Sequence, residues 1–201
     1  MNRLSITGLP VILSLSLAGV AGADPAAAPG LPAMPSDLPA RCAELSHVPE
    51  SAQIPGPQLA ARISVANCMA EEAMNALALS PDAGSIHKLD AAVAPSLALL
   101  EAVIARGDPY WSVIAEDAMR DLYVGMVVRE RRSIPGGNVA ALAAFEPLLA
   151  PWRDAAAHAS GRITELAEAN PSLAKQDRVI GAVIAHADEE RRITRSASLR
   201  R

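Results

Sequence analysis

Residues 107–132 read GDPYWSVIAEDAMRDLYVGMVVRERR, and the fold turns on this stretch. Gly107 suits the left-handed position after a helix, Asp108 can cap the next helix, and Pro109 fits its first turn. Trp111, Ile114, Ala118, Leu122 and Met126 recur in steps of three and four and trace one helical face. Val113, Tyr123 and Val127 trace a second. A helix apolar on two sides sits between other helices rather than at an edge. The stretch also holds three of the chain's five aromatic residues. It predicts the central helix of an all-α bundle.

The neighbouring stretches carry the same period. Downstream, residues 133–137 (SIPGG) read as a turn and Asn138 as a cap. Leu142, Phe145, Leu149, Trp152, Ala156, Ala159, Ile163 and Leu166 then form a seam, with a bend expected near Pro147 and Pro151. Asn170-Pro171 is expected to open a last helix with Leu173, Ile180, Val183, Ile184 and Ala187 inward. Upstream, Ser80-Pro81 is expected to open a helix carrying Ile86, Leu89, Val93, Leu97, Leu100 and Ile104, kinked at Pro95. Before it, Leu59, Ile63, Ala66, Ala70, Ala73 and Leu77 mark a first long helix over 57–79. The expected fold is an up-and-down antiparallel helical bundle of about five helices, some proline-kinked, over residues 57–195. No self-similar period points to a solenoid.

Residues 1–23 read as a signal peptide. Arg3 gives a positive start, residues 9–20 are mostly apolar, and Ala21-Gly22-Ala23 offers small residues for cleavage after Ala23. Residues 24–56 form a Pro/Ala-rich tether with a short helical segment near Cys42, and 196–201 a basic tail. Without Arg3 the chain carries 17 Lys and Arg against 22 Asp and Glu, a net charge of −5. That balance argues against general nucleic-acid binding. With two cysteines in an exported chain, a Cys42–Cys68 disulfide is the economical pairing. The expected localisation is therefore exported, periplasmic or extracellular, with no transmembrane segment in the mature chain.

Motifs for chemistry are sparse. There is no Gly-x-Ser-x-Gly elbow, no Cys-x-x-Cys-His, and no glycine-rich dinucleotide or phosphate loop. His87 with Asp90, and His186 with Glu190, share helix faces, but two ligands hold a metal weakly. No metal or cofactor is therefore expected. Exported chorismate mutases are also helical and of similar length. Arg62 and Lys88, the cations on offer here for such a pocket, do not reproduce that family's spacing, so no family is recognised. The pair that stands out is Glu116 and Arg120, four apart on the second face of the central helix beside Tyr123. Covered by another helix, it would mark a small polar pocket.

The expected function is that of a non-enzymatic cell-envelope protein, structural or binding an envelope protein or small molecule. An alternative is a ligand-binding or enzymatic bundle with its pocket at Glu116, Arg120 and Tyr123. Self-association through leftover apolar faces is a third. The intact mass of protein from the host's envelope fraction should correspond to a chain starting at Asp24; a mass that includes Met1 would reject the cleavage.

Overall fold

Short connections between helices with apolar faces dictate the architecture. The computed structural model of the chain describes residues 33–47, 55–78, 80, 82–134, 136 and 138–198. The expected signal peptide, much of the tether and the end of the tail lie outside the described residues. Seven α-helices form among them: α1 (Ala40–Ala43), α2 (Pro55–Ala76), α3 (Ala83–Ile104), α4 (Pro109–Ser133), α5 (Val139–Ala169), α6 (Leu173–Gln176) and α7 (Arg178–Ser198). A 3-10 turn at Glu44–Ser46 follows α1, and no strand occurs among the described residues. The all-α bundle expected from the sequence is what forms, with five long helices and two short ones.

Contacts fix the directions. Gly56 on α2 lies against Trp111 on α4, and Leu77, just past α2, accepts a hydrogen bond from Arg129, so these two helices run parallel. Ser85 at the start of α3 meets Glu130 near the end of α4. Arg131 meets Glu146 and Glu116 faces Arg162, so α4 and α5 are antiparallel.

The long helix α4 packs against all four other long helices, α2, α3, α5 and α7. It therefore contributes to three apolar clusters. Leu122, Met126 and Val127 join Ile86, Leu89, Val93, Leu149 and Trp152. Ala115 joins Leu59, Ile63, Leu100 and Val103. Val113 joins Ile163, Leu173, Ile180 and Ile184.

The helix ends follow local chemistry, with two departures from expectation. Gly107 has φ 72°, Asp108 accepts from the Trp111 N–H at 3.1 Å, and Asn138 accepts from the Ala141 N–H at 2.9 Å, all as the sequence implies. The cap of α3, however, is Asp82 rather than Ser80. Its carboxylate accepts from the Ser85 N–H at 2.8 Å, and the Ser80 hydroxyl donates to that carboxylate. Asn170 closes α5 instead of opening the last helix; its side-chain amide donates to the Leu166 carbonyl at 3.0 Å. Leu173, buried in the third cluster, pins the short α6, so the chain turns before α7 can start. Asp177 then accepts from the Val179 N–H at 2.7 Å. Gly181 allows the close approach of α7 to α6, since a Cβ there would stand 2.9 Å from the Ala174 carbonyl.

Pro95 lies inside α3, and Pro147 and Pro151 lie inside α5. The α5 seam is buried from Phe145 to Ile163, whereas Leu142 is exposed.

Cys42 and Cys68 are joined, with 5.6 Å between their Cα atoms. The bond ties α1 to α2, and Arg41 adds surface contacts to Glu71 and Glu72 at 3.3 and 3.0 Å. Met34 and Leu38 pack on the second cluster, so this end of the expected tether is part of the folded body. A loop of 26 residues closed by a disulfide stabilises by about 3 kcal/mol through the unfolded state. Thermal melts with and without reductant should differ by roughly 10 °C, and Cys42→Ser plus Cys68→Ser should match the reduced protein.

Candidate functional site

A helix packed against four others has few solvent-facing positions for its charges, so each buried charge on α4 must find a partner or an opening. Glu116, Arg120 and Glu130 are all buried. Glu116 and Arg120 do not pair with each other. Arg120 holds Asp117, with Nη2 2.5 Å from Oδ1, and donates to Asp121 through Nη2 at 2.9 Å and Nε at 3.2 Å. Glu116 faces Arg162 of α5 at 3.8 Å. The expected i,i+4 pair is replaced because Glu116 meets the Arg162 guanidinium and Arg120 meets the Asp117 and Asp121 carboxylates. Burial pushes the Glu116 carboxyl up, and Arg162 opposes the shift. Burial also raises Asp117, opposed by Arg120. Tyr123 is half-buried and packs on the first apolar cluster. Glu116 and Arg120 thus turn to different partners.

Arg120 borders an open groove of about 430 Å³ between α4, α5 and α7. From α4 come Arg120, Val124, Val127, Val128 and Arg131. From α5 come Arg153, Ala156, Ala157 and Ser160, and from α7 come Glu190 and Arg191. Val124 and Val128 are 43% and 39% exposed, although they belong to the central helix. Two further grooves flank the α2–α4 seam, and charged residues border both.

The two ends of the α4–α5–α7 groove differ in charge. At one end Arg131 grips Glu146 with two donors, Nε to Oε1 at 2.8 Å and Nη2 to Oε2 at 2.9 Å. Arg153 donates to the same carboxylate at 2.6 Å and to the Glu146 carbonyl at 2.9 Å. The hydrogen bond from Arg131 holds the Glu146 carboxyl below its ordinary value. At the other end the Ser160 hydroxyl donates to Glu190 at 2.6 Å, and Arg120 sits between Asp117 and Asp121.

Sequence reading picked out Arg120 but missed the rest of the groove. The usable signal was Val124 and Val128, an apolar i,i+4 pair lying off both predicted faces of α4. The histidine pairs do not gather further ligands. Asp90 accepts from the Trp152 indole at 2.6 Å, and Glu190 is held by Ser160 and His186. Among the described residues no group of three His, Cys, Asp or Glu side chains could hold a metal. No helix among them is long and apolar enough to cross a membrane. Compared with protein-family models, curated proteins and solved structures, the chain matches none.

Glu130 is the most deeply buried charge on α4, yet it borders none of the three grooves. Its Oε1 accepts from the Ser85 hydroxyl at 3.1 Å, and its buried Oε2 has no hydrogen-bond partner. Burial pushes its carboxyl up, against the Ser85 hydrogen bond and the Arg129 charge. A raised native pKa favours the folded state below the unfolded carboxylate value, and that advantage is lost as pH rises through the native value. Glu130→Gln keeps the acceptor for Ser85 and removes the charge. At pH 8 it should be more stable than the parent by about 1 kcal/mol or more, and chemical denaturation should show the gain vanishing near pH 4.

Proposed function

We propose that the chain is an exported, non-enzymatic binding protein of the cell envelope, and that the groove between α4, α5 and α7 is its ligand seat. The carrying observation is the exposure of Val124 and Val128 beside Ala156 and Ala157, an apolar floor open to solvent on the central helix. A volume of about 430 Å³ lies within the range of small-molecule sites. Contiguous exposed apolar surface rimmed by polar groups is a common mark of such a site. The Cys42–Cys68 bond and the signal-like residues 1–23 support an oxidising compartment outside the cytoplasm, with cleavage after Ala23.

The neutral dye N-phenyl-1-naphthylamine should brighten on the purified mature chain. Val128→Asp should weaken that binding at least tenfold, since it places a charge on the apolar floor. An unchanged titration in a variant that melts like the parent would reject the groove. Sedimentation at the same concentrations should give a monomer; a dimer that Val128→Asp dissociates would assign the groove to a second copy instead.

A further inference from the structure

The electrostatics of the groove narrow its ligand, granted the binding reading above. Along α4 it runs from Arg120 to Arg131, about 16 Å of helix axis at the usual rise per residue. Along α5 it runs the opposite way, from Ser160 to Arg153. Between these ends the walls, among the described residues, are valine and alanine. An occupant lying lengthwise therefore meets an apolar trough closed at each end by charge.

The two ends are not equivalent. Arg131 and Arg153 share one carboxylate, that of Glu146, which leaves this end one positive charge in excess. Arg131 Nη1 and Arg153 Nε have no partner among the described residues. Both side chains are exposed, so their remaining donors face water and are available. At the opposite end Arg120 is paired with Asp117 and Asp121, which border the neighbouring α2–α4 groove, Glu190 stands in the lining, and Arg191 is held at 3.5 Å by Glu168. An anion is attracted to the first end and repelled by the second.

We infer that the groove takes a single-chain amphiphile with a carboxylate head. The head lies at Arg131 and Arg153, and the alkyl chain lies over Val128 and Val124 toward Ala157. A guanidinium donates to a carboxylate through paired N–H groups, the geometry Arg131 already adopts with Glu146. Glu146 therefore acts as an internal competitor for the ligand head.

Equilibrium dialysis of labelled dodecanoate, dodecanol and dodecyltrimethylammonium against the mature chain, each below its aggregation concentration, tests this. Dodecanoate should bind about tenfold more tightly than dodecanol, the worth of one charge-assisted contact, and the cation most weakly. Arg131→Ala and Arg153→Ala should each shrink the preference for dodecanoate while leaving dodecanol binding in place. Glu146→Gln should strengthen dodecanoate binding, because it releases both arginines. Dodecanol bound as tightly as dodecanoate would overturn the head-group assignment and leave the groove reading standing. No binding of any of the three would overturn both. Weaker dodecanoate binding in Glu146→Gln, with an unchanged melt, would also reject the assignment. So would a chain that binds vesicles of anionic phospholipid but not free dodecanoate.

Discussion

Packing one helix against four others constrains everything else in this protein. The α4 helix supplies residues to all three apolar clusters, so few of its positions can face water freely. Buried charged residues on it must be met where they stand: Glu116 by Arg162 of α5, Arg120 by its own neighbours Asp117 and Asp121, and Glu130 by no more than a hydrogen bond from a hydroxyl of α3, with its second oxygen unpartnered. Each solution carries a desolvation cost that a surface position would avoid. Such costs are tolerable because the apolar residues on the same helix bury large areas; a fully buried Leu or Met side chain contributes roughly 1.5–3 kcal/mol.

The groove is a consequence of incomplete cover. Toward the start of α4, Val113 is closed over by Ile180 and Ile184 of α7 together with Ile163 of α5. Toward its end, Phe145, Leu149 and Trp152 of α5 close the side that holds Met126 and Val127. Val124 and Val128 lie between these two covers, where, among the described residues, α7 contributes Glu190 and Arg191 to the wall. The two valines stay open to water there, at 43% and 39% exposure.

Features set by local chemistry or by strict periodicity were legible in the sequence. The caps at Asp108 and Asn138, the left-handed Gly107 and the seam from Phe145 to Ile163 depend only on near neighbours and a 3.6-residue period. The disulfide followed from the cysteine count and the export expected from residues 1–23. What sequence could not supply was the choice among competing partners. Arg120 has carboxylates at positions 116, 117 and 121, and the winner depends on Arg162 arriving from α5. Asn170-Pro171 has the composition of a helix start, but burial of Leu173 inserts α6 first. The groove was invisible for the same reason: its two walls come from helices whose relative register no single stretch encodes.

Composition ties the thin core to the open groove. Aromatics are 2% of the residues, and the α5 wall at the groove is Ala156 and Ala157. Alanine gives helices high intrinsic propensity and lets them approach closely, but it fills little space at the flank of a contact. A leucine at such a flank would reach over the neighbouring helix and cover its valines. With alanine there, the backbones of α4 and α5 stay close while the trough above them stays open. Stability is then carried by the seam from Phe145 to Ile163, by the three clusters on α4 and by the covalent tie at Cys42–Cys68. Val124 and Val128, exposed and outside all three clusters, are therefore not required to hold the bundle together.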